Sequence, residues 1–553
     1  MQSFRRNINK NFVIEGCQSD HDIANKFAEH FASVYQQQVP NGSSSSVAHD
    51  ASCTVGSGQV TVGLSRPTYE VFRSVNVELI DQCVAKLKLG KACGPDDLSA
   101  EHIVYAHPCL LVIIGRLFRL IATHRYVPNG FCSGTIVPLI KDKTRNRNDT
   151  DNYRPITLIP VMSKVFELVI LTLLEDLLIS DDLQFGFKRN LSCDDAIFVL
   201  RATVDYFNAR GSTVYLASLD IRKAFDSVNH DKLFISLMKV GIPDSVIDIL
   251  KSWYSRLTVN VRWGNCFSAL FAILNGTRQG SVISPVLFNV FINMFIVQLR
   301  KLHVGCVVKS MYLGCLLYAD DMILLCPSLR GLQCMLDNCA DTSELLSLTF
   351  NASKSACLAV GKLARIPYEP MLLGTKHIDW VRSMKYLGVT LCGGNVLKFD
   401  CNVVRQKFFA ACNCIYAHGK QLDEIIHLTL QESYSLPILT YAAASAKYTV
   451  KQLDELNACW NSVFRKIFGF HKHESVKRFI CGLGRLDLRH IFRMRRVKFY
   501  FHILHEGNRC LRDIFWTYLA DHFSDDQDLA SSVCERVSVN CNVIYANFRL
   551  ISA

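Results

Sequence analysis

Apolar residues recur along this chain at two different periods, and the change of period marks its elements. Beyond Ser19 and Asp20, which suit a helix cap, Ile23, Phe27 and Phe31 fall every four residues and predict an amphipathic helix. The β-branched and aromatic run Thr213, Val214 and Tyr215 predicts a short strand leading through Leu219 into Asp220, with a helix from about Asp231. Between residues 307 and 326, apolar positions flank Tyr318-Ala319-Asp320-Asp321 on both sides, the pattern of a buried β-hairpin with an acidic tip. Together these predict a βαββ sheet. After about Gly393 the pattern turns helical and basic.

Two longer apolar stretches are expected as interior helices rather than membrane spans. Residues 282–299 contain Pro285, Asn289, Asn293 and Gln298, and residues 158–179 contain Lys164, Glu167, Glu175 and Asp176. Residues 40–59, with their Asn-Gly-Ser-Ser-Ser-Ser run, are expected as a flexible linker, and a compact chain is expected from Tyr69 on. No repeat of solenoid period is visible.

Composition sharpens the picture in three places. A chain of 553 residues that is 50% apolar exceeds one hydrophobic core and predicts two to four subdomains. Residues 451–510 hold 13 Lys/Arg against 5 Asp/Glu, an excess of eight out of a net +12, which calls for a polyanionic partner. The 23 cysteines include no C-x2-C pair, so neither a zinc ribbon nor a redox dithiol is expected, and their abundance suits a reducing compartment. Cys412, Cys414 and His418 lack a fourth ligand at ordinary spacing and read as packing. The start, with three basic residues and no apolar run after them, does not read as a signal peptide, so an intracellular protein of nucleus or cytoplasm is expected, not secreted and without a membrane partner.

Asp-Asp occurs five times, at 96/97, 181/182, 194/195, 320/321 and 525/526, so the dipeptide alone says little. The pair at 320/321 differs because apolar residues precede and follow it, and burying two adjacent carboxylates is costly without a hard divalent cation. With Asp220 ending another strand, three carboxylates would suffice for two Mg²⁺ ions about 3.5 to 4 Å apart. On spacing alone, a metal site and an acidic surface stand level.

The surrounding motifs decide between them. Leu219-Asp220-Ile221-Arg222-Lys223-Ala224-Phe225-Asp226 resembles motif A of reverse transcriptases, Gly276-Thr277-Arg278-Gln279-Gly280-Ser281-Val282-Ile283-Ser284-Pro285 resembles their motif B, and Tyr318-Ala319-Asp320-Asp321 their motif C. Asp151-Asn152-Tyr153-Arg154-Pro155-Ile156-Thr157-Leu158 resembles the fingers motif, and Gln184-Phe185-Gly186-Phe187 the segment after it. Gly94-Pro95-Asp96, Asn351-Ala352-Ser353-Lys354 and Tyr386-Leu387-Gly388 point to the non-LTR, LINE-type and jockey-like branch, and Phe464-Arg465-Lys466-Ile467-Phe468-Gly469 resembles a LINE thumb more loosely.

The resemblance implies an α+β right-hand polymerase with fingers, a palm built on a βαββ-type antiparallel sheet, and a helical thumb. It divides the chain into an N-terminal helix and linker (1–60), fingers (61–212), palm (213–392), basic thumb (393–505) and a C-terminal tail (506–553). It further implies that Asp220, Asp320 and Asp321, with the Ile221 carbonyl, bind two Mg²⁺ ions, for which Mn²⁺ can substitute. Arg154 and Lys141 would hold the incoming triphosphate, a planar fork beside a point charge. Gln279 and Gly280 would line the nucleotide pocket, glycine allowing the substrate close to the backbone. Phe225, a core residue if read alone, would exclude a ribose 2′-OH, and Lys354 would act as general acid toward pyrophosphate. Tyr386, Leu387 and Gly388 would grip the primer. Arg493, Arg495, Arg496 and Lys498 lie in an aromatic-interleaved basic run that would track a nucleic-acid backbone.

The expected partners are an RNA template, a DNA primer and dNTPs, with protein partners left open. Two rivals are kept. An RNA-dependent RNA polymerase would use Asp226 on the ribose, and a decayed copy would bind nucleic acid without polymerising. The lengths flanking the motifs predict neither an endonuclease nor an RNase H domain within these 553 residues.

Overall fold

The computed structural model describes residues 13–36, 68–142, 145–419 and 421–522. The expectations for residues 1–10, for the linker at 40–59 and for the chain beyond His522 lie outside the described residues. In chain order, the elements that position the site are α1 (Asp20–Tyr35), β1 (Ser133–Ile140), β2 (Tyr153–Leu158), α2 (Val161–Leu173), α3 (Cys193–Ala209), β3 (Val214–Asp220), α4 (His230–Lys239), β4 (Thr258–Trp263) and α5 (Ser284–Lys301). They continue with β5 (Cys315–Tyr318), β6 (Asp321–Cys326), α6 (Leu329–Leu346), β7 (Ala356–Val360), β8 (Ser383–Tyr386), β9 (Val389–Cys392), α7 (Val450–Ile467), α8 (Leu488–Glu506) and α9 (Arg509–His522). The architecture is α+β, as expected.

The described residues form two compact units, the first drawn from those within 1–180, 222–294 and 343–349, the second from those within 181–221, 295–342 and 350–553. In the first, β1 pairs antiparallel with β2 and parallel with β4. Ser19 caps α1 by accepting the Asp22 N–H, and the predicted stripe Ile23, Phe27 and Phe31 is buried. Phe27 reaches Tyr153 edge-on at 4.8 Å and Trp263 in a stack at 5.2 Å, which seats α1 on the sheet. Helix α2 buries Val165, Phe166, Val169 and Ile170, but also Glu167, a charge with no exposed surface.

The second unit is built on an antiparallel sheet in the order β7-β3-β6-β5. The acidic hairpin is shorter than expected. Residues Val307–Val308 and Met311–Tyr312 form a small pair of their own, because the chain turns at Lys309 with φ +55, and the hairpin proper begins at Cys315. Residues 181–221 group in the second unit with the sheet they lead into. The region expected as a tail from residue 506 carries α9, which lays Phe515 and Tyr518 against Phe198 of α3 and receives a hydrogen bond from Arg201 on the Tyr518 hydroxyl at 3.0 Å. Among the described residues no helix is long and apolar enough to cross a membrane.

Candidate active site

The second unit assembles the acidic centre by strand register. Asp220 and Asp321 are cross-strand partners of β3 and β6, so their backbones stand about 5 Å apart. Ala319 and Asp320 form the two-residue turn between β5 and β6, with Ala319 in the left-handed region at φ +55. A non-glycine residue held there stores strain and needs outside support. Gln184, 1% exposed, supplies it: its Oε1 accepts the N–H groups of Ala319 (2.9 Å) and Gly186 (2.8 Å), and its Nε2 donates to the Ala319 carbonyl (3.4 Å). Phe185 N–H and Leu317 N–H complete the clamp by donating to Leu317 and Leu183 carbonyls, each at 2.8 Å. At Gly186 a Cβ would collide with the Ala319 backbone, so no larger residue fits.

Three carboxylates at one sheet end repel each other. Burial first, then Asp320 and Asp220, push the Asp321 carboxyl up to about 6, although part of its surface still reaches solvent. Lys354 offsets some of this charge, with Nζ 3.5 Å from Asp220 Oδ2. Its turn is fixed by the Asn351 carbonyl, which accepts the Lys354 and Ser355 N–H groups, while Asn351 N–H donates to the Asp220 carbonyl at 2.8 Å. Ile221 opposes Phe350 in an isolated bridge whose hydrogen bonds run through flanking residues, leaving the Ile221 carbonyl out of that pairing. Among the described residues no three His, Cys, Asp or Glu side chains are gathered as a ready coordination shell. The donor set nevertheless fits a hard divalent cation: carboxylate oxygens in one register, one of them with its acidity weakened by burial and then by like charge.

The first unit holds the residues expected to meet the nucleotide. Arg154 is exposed on β2, opposite Leu139 of β1. Lys141 follows β1, with its N–H on the Asn152 carbonyl (2.8 Å) and its ammonium on the Asp151 carbonyl (2.9 Å). Burial lowers its pKa against the pull of Asp226. Lys223, not singled out from the sequence, pairs with Asp151 at 3.2 Å and adds a third cation to this group. Phe225 is half-buried and stacks on Phe288 with ring centres 4.2 Å apart.

Motif B is bound tightly to its surroundings. Gln279 donates from Nε2 to Asp226 Oδ1 at 2.8 Å, and its carbonyl accepts the Thr157 N–H of β2 at 2.7 Å. Gly280 has φ +135, and a Cβ there would collide with the Thr157 carbonyl oxygen. The glycine expected for the sake of substrate is therefore demanded first by the approach of β2. Glu167 of α2, which the sequence marked only as a charge in an apolar run, accepts from Arg278 Nη2 (3.3 Å), Ser281 Oγ (2.7 Å) and Val282 N–H (2.6 Å). Arg278 is itself 4% exposed, so this buried ion pair and the bonds beside it anchor Arg278, Ser281 and Val282 of motif B.

Elsewhere in the second unit, Leu387 (φ +44) and Gly388 (φ +81) make the tight turn between β8 and β9, and the Leu387 carbonyl accepts the Tyr441 hydroxyl at 2.7 Å. Tyr386 is buried rather than open to a ligand. On α8, Arg493 and Lys498 are exposed and Arg496 is half-buried, while Arg495 donates to the Thr440 carbonyl at 3.1 Å.

A family model described as "Reverse transcriptase (RNA-dependent DNA polymerase)" matches residues 140–391 of the chain. The chain is 25% identical over 319 residues to the Pol polyprotein of the type-2 retrotransposable element R2DM of Drosophila melanogaster, covering 56% of this chain and 29% of that protein. It is 29% identical to the RNA-directed DNA polymerase from mobile element jockey of the same fly (58% and 35% covered), and 24% identical to a Pol polyprotein from type-1 retrotransposable element R2 of Popillia japonica (74% and 58% covered). The chain thus spans between 29% and 58% of the length of these relatives. Among solved structures it is similar to telomerase from Candida albicans in complex with a fragment of telomeric RNA, at 10% identity over 77% of this chain and 68% of that one, with a TM-score of 0.39.

Proposed function

We propose that the chain is an RNA-directed DNA polymerase of a non-LTR retrotransposon that extends a DNA primer on an RNA template with dNTPs, inside the cell. The observation that carries this reading is the cross-strand pairing of Asp220 with Asp321 beside the clamped turn that bears Asp320. Asp220, Asp320, Asp321 and the Ile221 carbonyl would hold two Mg²⁺ ions, or Mn²⁺, which when bound activate the primer hydroxyl and neutralise the departing pyrophosphate. Lys141 and Arg154 bind the triphosphate oxygens. Phe225, kept in place by Phe288, blocks a 2′-OH and selects dNTPs. Lys354, whose ammonium lies beside Asp220, would give a proton to pyrophosphate. The turn at Tyr386, Leu387 and Gly388 supports the primer end through its backbone, and Arg493, Arg496 and Lys498 of α8 meet nucleic-acid phosphates.

The RNA polymerase rival is disfavoured by Asp226. The carboxylate it would need on the ribose is 7% exposed and already bonded to Gln279. The test is extension of oligo(dT) on poly(rA) with dTTP or UTP. Magnesium-dependent incorporation of dTTP alone is expected, lost in Asp320→Ala with primer-template binding retained. Equal use of UTP, or equal loss of binding and synthesis, would sink the assignment.

A further inference from the structure

We propose that Tyr35 and Asp226 form a buried relay that fixes the side-chain amide of Gln279, making the N-terminal helix α1 a positioning element of the nucleotide pocket. This deepens the polymerase reading and rests on it for the place of Gln279 in that pocket. Tyr35 ends α1 and precedes the span matched by the family model. It is wholly buried, and its hydroxyl lies 3.5 Å from Asp226 Oδ1, the same oxygen that accepts from Gln279 Nε2 at 2.8 Å. The second bond is of ordinary length and the first is longer than is usual for a hydroxyl donor, so the amide is the strong partner and the phenol a weaker one packed beside the same oxygen.

Tyr35 is also tied to the approach of the motif B loop. Its backbone carbonyl accepts the Asn275 N–H at 3.0 Å, one residue before that loop. The loop is then zipped to the motif A turn, Gly276 N–H on the Val228 carbonyl and Thr277 N–H on the Phe225 carbonyl, both at 2.7 Å. Gly276 has φ +88, and a Cβ there would stand 2.7 Å from the Asp226 carbonyl oxygen, so the two segments close around Asp226 with no room to slide. A phenylalanine would fill the site of the Tyr35 ring equally well. A buried hydroxyl is retained at a cost unless its oxygen has a partner, and Asp226 is that partner.

The consequence for Gln279 is chemical. An ionised carboxylate only accepts hydrogen bonds, so it takes the amide nitrogen and leaves Oε1 to face a ligand as acceptor. Burial raises the Asp226 carboxyl, while Gln279, Lys141, Lys223 and Tyr35 pull it back down. A protonated Asp226 would offer a donor, and the amide would turn to present its NH₂ instead. The relay thereby sets whether the pocket offers an acceptor or a donor.

The experiment uses the full chain on poly(rA)·oligo(dT), with steady-state kinetics in dTTP for the wild type, Tyr35→Phe, Asp226→Asn, Gln279→Ala and the double variant Tyr35→Phe/Gln279→Ala. For Tyr35→Phe we expect KM for dTTP to rise about three- to tenfold with kcat within about twofold, the signature of lost substrate positioning rather than lost chemistry. Asp226→Asn should raise KM further, and the double variant should match Gln279→Ala alone, since both changes break one chain of contacts. A purely packing role for Tyr35 would lower thermal stability and active fraction and leave KM untouched. If Tyr35→Phe keeps the wild-type KM while Gln279→Ala raises it, the relay is wrong and the pocket stands. If Gln279→Ala is also unaffected, or the wild type incorporates nothing, the relay falls together with the pocket reading.

Discussion

Asp220 and Asp226 lie six residues apart in one motif and occupy opposite electrostatic settings. Asp220 ends β3 with part of its surface in water, its cross-strand neighbour is another carboxylate, and the ammonium beside it belongs to a side chain more than half exposed. Asp226 is buried, with an amide, a phenol and two lysines supplied permanently by the protein around it. Carboxylates crowded by their own kind remain short of positive charge and suit a cation that comes with the substrate. A carboxylate with fixed donors has no such need and serves to orient a neighbouring side chain. On the proposed reading, one residue type carries two roles, decided by what the fold places beside it.

The sharpest test of that contrast makes one isosteric change at both positions. Asp220→Asn should reduce kcat on the order of a thousandfold, about 4 kcal/mol of transition-state stabilisation, with the fold intact. Asp226→Asn should keep kcat within a few-fold, and comparable kcat losses at both would erase the distinction. Next in size is Glu167→Ala, which strands the buried Arg278 guanidinium and three further donors, on Ser281, Val282 and Ile283. Its cost should be about 3–5 kcal/mol, read from the urea midpoint. A loss under about 1 kcal/mol would mean that water replaces the carboxylate.

A smaller effect concerns pH. The Asp226 carboxyl rises from its ordinary 3.8 to about 6 on folding, so between those values the folded chain binds more protons than the unfolded one. Stability therefore falls as pH rises through this window, and the full cost of the buried charge is present above it. Asparagine carries no such cost. Melting of Asp226→Asn should gain on the wild type by a few degrees between pH 4 and pH 7, and a constant gap would show that Asp226 does not titrate there. Smallest is Lys354→Ala. An exposed pair at 3.5 Å contributes at most about 1 kcal/mol, so its melting temperature should stay near that of the wild type while kcat falls if the ammonium delivers the proton. A marked loss of stability would recast Lys354 as structural.

Much of the acidic centre was legible in the chain because strands are read at period two. The run into Asp220 and the apolar flanks of Asp320 and Asp321 name two neighbouring strands, and one register unites the acids. The start of the hairpin was misplaced at residue 307 because apolar residues continue through a turn that Lys309 makes in the left-handed region. Helix α9 was missed as an element since its value lies in Phe515 and Tyr518 meeting Phe198, more than 300 positions earlier. Glu167 did leave a signal, a lone carboxylate in an apolar helix, but nothing local says that Arg278 and Ser281 will meet it.

Taken by itself, the amino-acid order determined which segments become strand or helix, which three acids share a sheet end, and the family to which residues 140–391 are matched. Those are consequences of side-chain periodicity and of short motifs, and both are local. Tertiary structure alone decided that Gln184 braces the turn under Asp320, that β2 is what forbids a side chain at Gly280, and that Tyr35 reaches Asp226. Such contacts join residues from more than one hundred to nearly two hundred positions apart, and they arise from burial and hydrogen-bond satisfaction in the folded chain, which no window of sequence contains.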